Sequence, residues 1–147
     1  HTNSASSTIT RMEDMGIEPY LIADSTVGII AQRLVRRLCP KCKKPHPMND
    51  MDKQRLRMRG KGTPTIYEPG GTNCAFCNGT GFRGRIGVYE IMPLTPEIRR
   101  VVAAGGGAEE IQKVALQQGM TTLRRGAAKL VLQGVTSISE VERIATE

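Results

Sequence analysis

The residues best equipped for chemistry are four cysteines in two matched pairs, Cys39 with Cys42 and Cys74 with Cys77, separated by 31 residues. A two-residue spacing lets both sulfurs of a tight turn face one centre. Two such turns supply the tetrahedral thiolate set, ~2.3 Å from the ion, that Zn²⁺ prefers. No cysteine is left over. A closed four-sulfur shell offers no position to water or substrate, so the spacing predicts one structural zinc per chain rather than a catalytic one. Two disulfides or four free thiols are the alternatives; the absence of a visible secretory leader counts against the disulfides. Pro40 stiffens the first turn, while Gly79 and Gly81 let the backbone fold closely past the second. Lys41, Lys43 and Lys44 flank the site and can offset the charge of about −2 that four thiolates leave around a dication.

The elements that must carry these turns follow from patterning. Asn3 or Ser4 caps a first helix with Ala5, Ile9 and Met12 at helical spacing and Gly16 as its stop. Pro19 opens a second helix. The β-branched cluster within "VGIIAQRLVRRL" predicts a strand over Ile29 to Arg36, with a helix from Pro19 to Arg37 as the competing reading. Residues 39–81 are rich in Pro, Gly, Lys and Asn, with one amphipathic segment from Met51 to Met58, and hold too little apolar content to fold by burial alone. "RIGVYEIMPL", Arg85 to Leu94, alternates as a strand. Four short helices then follow, stopped in turn by Gly105 to Gly107, Gly119 and Gly134, the last opened by Ser137 and Glu140 at capping-box spacing. Short connections between them predict one compact bundle.

A chain of 147 residues with 39% apolar content can bury a core. No window approaches ~18 consecutive apolar residues, so no membrane span is expected. The first residue, His1, is not a natural start, which points to a fragment, and the missing leader favours a cytoplasmic location. The net charge of +7 is uneven: Arg33 to Lys61 holds 11 of the 21 Lys and Arg residues against Asp50 and Asp52. Such a stretch suits nucleic acid, anionic lipid or an acidic partner protein, or serves only as a solvated face. With Tyr20, Tyr67, Tyr89, Phe76 and Phe82 as the only aromatics, base stacking has little to work with, and nucleic acid is disfavoured.

Three stretches, "HTNSASSTITRMEDMGIEPYLIADSTVGIIAQRLVRRLCPKC", "CNGTGFRGRIGVYEIM" and "GMTTLRRGAAKLVLQGVTSISEV", together resemble the C-terminal part of the type II secretion and type IV pilus assembly ATPases, in the family's order and over essentially the whole chain. The resemblance implies an α/β fold: the distal part of a RecA-like P-loop ATPase core (residues 1–38), a small tetracysteine zinc-binding insertion (39–81), and a returning strand with a C-terminal α-helical bundle (82–147). It implies a homo-hexameric, cytoplasmic motor, peripheral to the inner membrane, that acts on platform and adaptor proteins to assemble pilin-like subunits. His1 matches the end of the family's histidine box, where a histidine near the γ-phosphate has a catalytic role. Arg11, Arg36 and Arg85 match arginines associated with the nucleotide or with subunit contacts, tasks that suit a planar guanidinium. Each of the three equally fits an ordinary surface or interdomain cation. Lys41, Lys43, Lys44 and Arg55 are candidates for contact with a partner protein or an anionic lipid surface.

ATP and Mg are expected in the parent protein only. The sequence contains no G-x-x-x-x-G-K-[ST] loop: "GGG" at Gly105 and "GTGFRG" at Gly79 lack the Lys-Ser/Thr ending. Without that lysine, a Mg²⁺ ligand and a catalytic carboxylate, residues 1–147 are predicted not to hydrolyse ATP alone. A stand-alone basic zinc module that binds nucleic acid is the alternative. "CAFCNGTGF" also has the form seen in chaperone zinc domains, but "CPKCKKPH" lacks the matching glycines.

Overall fold

The computed structural model describes residues 2–146. In chain order the elements are α1 (Ala5–Asp14), α2 (Pro19–Ser25), β1 (Gly28–Leu38), β2 (Lys44–Pro47), α3 (Asp50–Arg55), β3 (Thr65–Glu68), β4 (Phe82–Pro93), α4 (Pro96–Ala103), α5 (Ala108–Gln117), α6 (Leu123–Leu132) and α7 (Ile138–Thr146). β1 pairs with β4, and β2 with β3. The Leu94 N–H donates to the Val27 carbonyl at one end of the long ribbon and the Cys39 N–H to that of Gly81 at the other, so β1 and β4 run antiparallel. The competing long helix is thereby excluded. Period-two burial of Ala31, Val35 and, on β4, Val88, Glu90 and Met92 follows the pleat.

The chain divides into two compact units, residues 1–32 with 89–122 and residues 33–88 with 123–147; the divisions fall within β1 and β4. In the first unit, α1 packs on α5 and α2 on α4. Ser4 caps α1 in a reciprocal box with Ser7, and Gly16, at φ +87°, ends it in a conformation an L-side chain resists. Its core gathers Ile9, Ile22, Met92, Ile98, Val102 and Ile111, all nearly inaccessible to solvent. Glu90, 2% exposed, accepts the Ala5 N–H at 2.8 Å, placing a carboxylate at the positive end of α1.

In the second unit, α6 packs on α7, α6 also touches β3, and α3 touches α7. The four C-terminal helices expected as a single bundle are therefore divided, α4 and α5 with the first unit, α6 and α7 with the cysteine-bearing segment. That segment has more internal order than its composition suggests. The β2–β3 hairpin pairs Lys44 with Glu68 through to Pro47 with Thr65. Met48, Leu56 and Ile66 are each buried to within 3% exposure. Asn49 and Asp52 form a reciprocal capping box on α3, and the Asp52 carboxylate also meets His46 Nε2 at 2.8 Å. The spacing of Ser137 and Glu140 is used differently: the Glu140 side chain turns to β1 instead of closing a box.

Candidate metal centre and its basic surroundings

The cysteine turns are built by backbone hydrogen bonds before any metal is considered. The N–H groups of Cys42 and Lys43 donate to the Cys39 carbonyl, that of Gly79 to Cys74, and that of Thr80 to Cys77. The Gly81 N–H points at Cys77 Sγ from 3.3 Å. Gly79 and Gly81 both sit at φ +73°, the left-handed region that the second turn requires. Gly70 matters through space rather than through dihedral angle, since a Cβ there would lie 1.8 Å from the Cys42 carbonyl oxygen.

These turns bring all four sulfurs within 4.8 Å of one another. Cys39 and Cys74 are 3.9 Å apart, and Cys42 and Cys77 3.8 Å. A tetrahedron with zinc–sulfur bonds of ~2.3 Å has edges of about 3.8 Å, so the set fits such an ion with little movement. Cys39 and Cys77 are buried, Cys42 and Cys74 half-buried. Burial, then hydrogen bonds from Cys39, Cys77 and Cys74, push Cys42 up to about 12. At Cys77 burial acts in the same upward sense but is outweighed by the Gly81 N–H and the neighbouring thiols, which bring it down to about 7. The arrangement can hold a metal ion through sulfur alone. All four cysteines are free thiols in this structure.

The other predicted site residues are carried by different elements. His1 lies outside the described residues. Arg11 is exposed in the last turn of α1, and Arg85 is exposed on β4. Arg36 is engaged: its Nε and Nη2 donate to Glu140 Oε1 at 2.9 and 2.8 Å, its backbone N–H donates to Oε2 at 2.7 Å, and its guanidinium lies 4.1 Å from the Phe82 ring centre. Arg143 adds a fourth donor to Glu140. Burial by itself would raise the Glu140 carboxyl; the donors of Arg36 and Arg143 outweigh it and hold the group near 2. Sequence reading gave Glu140 only a capping role and did not single out Glu90. Their contacts cross 104 and 85 residues, and no local pattern announces them.

The four cations expected to meet a partner also separate. Lys43 Nζ donates to the Gly134 carbonyl at 2.8 Å and sits 4.3 Å from the Tyr67 ring centre. Arg55 forms a two-pronged pair with Glu142, both contacts at 2.7 Å. Lys41 and Lys44 are exposed and make no side-chain interaction among the described residues. Among those residues no helix is long and apolar enough to cross a membrane.

The family model described as "Type II/IV secretion system protein" matches residues 1–143. The type IV pilus assembly ATPase PilB of Myxococcus xanthus is 42% identical over 96% of this chain, which spans 25% of that protein. Type II secretion system protein E of Dickeya dadantii is 41% identical over 100% of the chain, 28% of its own length, and that of Aeromonas hydrophila 37% over 100%, 29% of its length. The chain thus spans between a quarter and a third of these relatives. Matched along nearly its full length by one family model and by relatives well above 30% identity, the chain belongs to the type II/IV secretion system protein family.

Proposed function

We propose that this chain is the C-terminal part of a hexameric P-loop ATPase that powers type IV pilus assembly or type II protein secretion. The observation that carries the reading is the family match over residues 1–143, joined to relatives whose names are those of pilus assembly ATPases and secretion proteins E. In this reading residues 1–38 are the distal part of a RecA-like core, and Cys39, Cys42, Cys74 and Cys77 hold one structural zinc. The sulfur spacing and the closed, all-thiolate shell support zinc in particular, and such a shell supplies rigidity rather than chemistry. ATP and Mg belong to the parent chain, with His1 at the end of the histidine box and Arg11, Arg36 and Arg85 serving nucleotide or subunit contacts. Arg36 is the most prepared of these, its fork already oriented by Glu140.

The motor works on the cytoplasmic side, peripheral to the inner membrane, against platform and adaptor proteins. Lys41 and Lys44, both uncommitted, are the cations of the original four best suited to meeting a partner or an anionic surface. The nucleic-acid module is not favoured, since neither the family model nor the relatives above point to it.

The test has two parts. Purified residues 1–147 should show no ATP hydrolysis above background, whereas the chain extended upstream should carry a G-x-x-x-x-G-K-[ST] loop and hydrolyse ATP with Mg²⁺. An upstream frame without that loop would overturn the assignment, and hydrolysis by residues 1–147 alone would overturn the predicted division of labour.

A further inference from the structure

Both cysteine turns contribute a wall to one recess of the second unit. Pro40, between Cys39 and Cys42, and Phe76, between Cys74 and Cys77, line a cavity of about 310 Å³ with Arg37, Lys43 and Arg83. Three cations therefore face the recess, and no Asp or Glu lines it. Two of them are held in place by groups that leave their charge unneutralised. Lys43 is fixed by the Gly134 carbonyl and the Tyr67 ring. Arg83 donates to the Phe76 carbonyl at 2.5 Å and lies flat over the Phe76 ring, 4.0 Å from its centre. Arg37 is exposed, and its side chain makes no hydrogen bond or ion pair among the described residues. This sets the three apart from Arg36, Arg55 and Arg143 of the same unit, each of which already meets a carboxylate.

Fixed cations in a recess with low-dielectric walls focus positive potential, and an arriving anion faces little reorganisation cost. Leu38, Pro40, Phe76 and Val135 give the recess apolar surface beside the uncharged Gln133, and the recess is too large for a bare phosphate to fill. The matching occupant is a carboxylate carried on an apolar body. A planar guanidinium at Arg37 suits a carboxylate through paired hydrogen bonds, and the 41% exposed Phe76 offers apolar surface to the side chain beside it. A membrane surface presents its anions in a plane and reads projecting lysines; a recess favours a protruding side chain.

We propose that this recess is a docking site for an acidic segment of a partner polypeptide, in which a Glu or Asp flanked by apolar residues enters between Arg37, Arg83 and Phe76. The inference rests on the metal-held turns of the preceding reading but not on ATP hydrolysis. It gives the metal a purpose, since holding both cysteine turns together brings Pro40 of one and Phe76 of the other into the lining of one recess.

The experiment is fluorescence anisotropy of a labelled acetylated peptide, GLEELG, titrated with zinc-loaded protein, alongside the neutral peptide GLQQLG, inorganic phosphate as competitor, and vesicles of phosphatidylglycerol in phosphatidylcholine. GLEELG should bind with strong salt dependence, and GLQQLG at least tenfold more weakly. Arg37→Glu and Phe76→Ala should each weaken GLEELG binding at least tenfold while retaining one zinc per chain, and Lys61→Glu, at a basic residue outside the recess, should bind as the parent does. Equal affinity for the two peptides would overturn the proposal, as would unaltered binding by both recess variants. Displacement of the peptide by millimolar phosphate, or Arg37-dependent vesicle binding with no peptide binding, would assign the cations to phosphate groups and overturn it equally. Chelation that removes the metal yet leaves peptide affinity unchanged would refute the link to the cysteine turns, whereas the variants test the recess itself.

Discussion

At the scale of single residues, the clearest lesson is Glu140. It is 1% exposed yet ionised, because three donors on Arg36 and one on Arg143 surround its two oxygens. A carboxyl held near 2, below its ordinary 4.5, stabilises the folded state above the ordinary value, and that contribution is lost as pH falls through the folded one. Glu140→Gln keeps the shape but not the charge, and should cost about 1–3 kcal/mol at neutral pH, the range for hydrogen bonds to charged groups. Half of the Arg36 side chain remains in water, which keeps the cost below that of stranding a fully buried cation. Denaturant unfolding of wild type and variant gives the check. The gap between them should shrink to roughly half or less by about pH 3, where the unfolded carboxyl is already protonated. Acid-driven metal loss is common to both proteins and cancels in the difference. A gap that stays constant between pH 7 and pH 3 would show that Glu140 stabilises by packing rather than by charge.

At the scale of elements, what was legible in the sequence was whatever is determined locally. Ser4, Pro19, Pro96 and the glycines at 16, 105, 119 and 134 mark helix ends through dihedral preference and missing donors, and the helices stop where those residues stand. β1 and β4 run a few residues past the predicted strands because pairing, rather than propensity, sets strand ends. The β2–β3 hairpin was invisible: "KPHP" carries two prolines and no alternation, and becomes a strand only because β3 lies opposite. The metal site was legible as spacing, but not the glycine that lets its turns meet. Gly70 has no unusual dihedral; its absent side chain makes room for the Cys42 carbonyl. Gly70→Ala must push the first turn away from its neighbour by more than an ångström, while leaving all four thiols in the sequence. We expect weaker metal retention, seen as a faster loss of zinc to a colorimetric chelator, with α-helical circular dichroism unchanged. Zinc loss at the wild-type rate would mean that the loop relaxes without disturbing the sulfurs.

At the scale of the whole molecule, the sequence suggested three consecutive pieces, and packing produces two compact units that each take segments from both ends of the cysteine-bearing insertion. The cause is the ribbon of β1 and β4: its strands are distant in sequence, and their pairing accompanies the packing of α2, which precedes β1, on α4, which follows β4. Each unit has its own buried side chains, Ile9, Ile22, Met92, Ile98 and Ile111 in one, and Val35, Met48, Ile66, Val131 and Val141 in the other. Metal bound by a structural tetrathiolate site contributes on the order of 10 kcal/mol to whatever it holds together, and its ligands here lie in the second unit alone. Chelation should therefore act unevenly. Hydrogen exchange after zinc removal should accelerate at residues 39–43 and 72–81, whose amides are fixed by the cysteine turns, and less at α6 and α7, which keep their apolar contacts. Amides of α1, α2, α4 and α5 should retain their protection, because no metal ligand and none of the second unit's core side chains lies among them. Equal loss of protection in both units would show that the chain unfolds as one cooperative body. Unchanged exchange at residues 72–81 would show that their backbone hydrogen bonds hold the turns without metal, and the ion would then be incidental to the fold it joins.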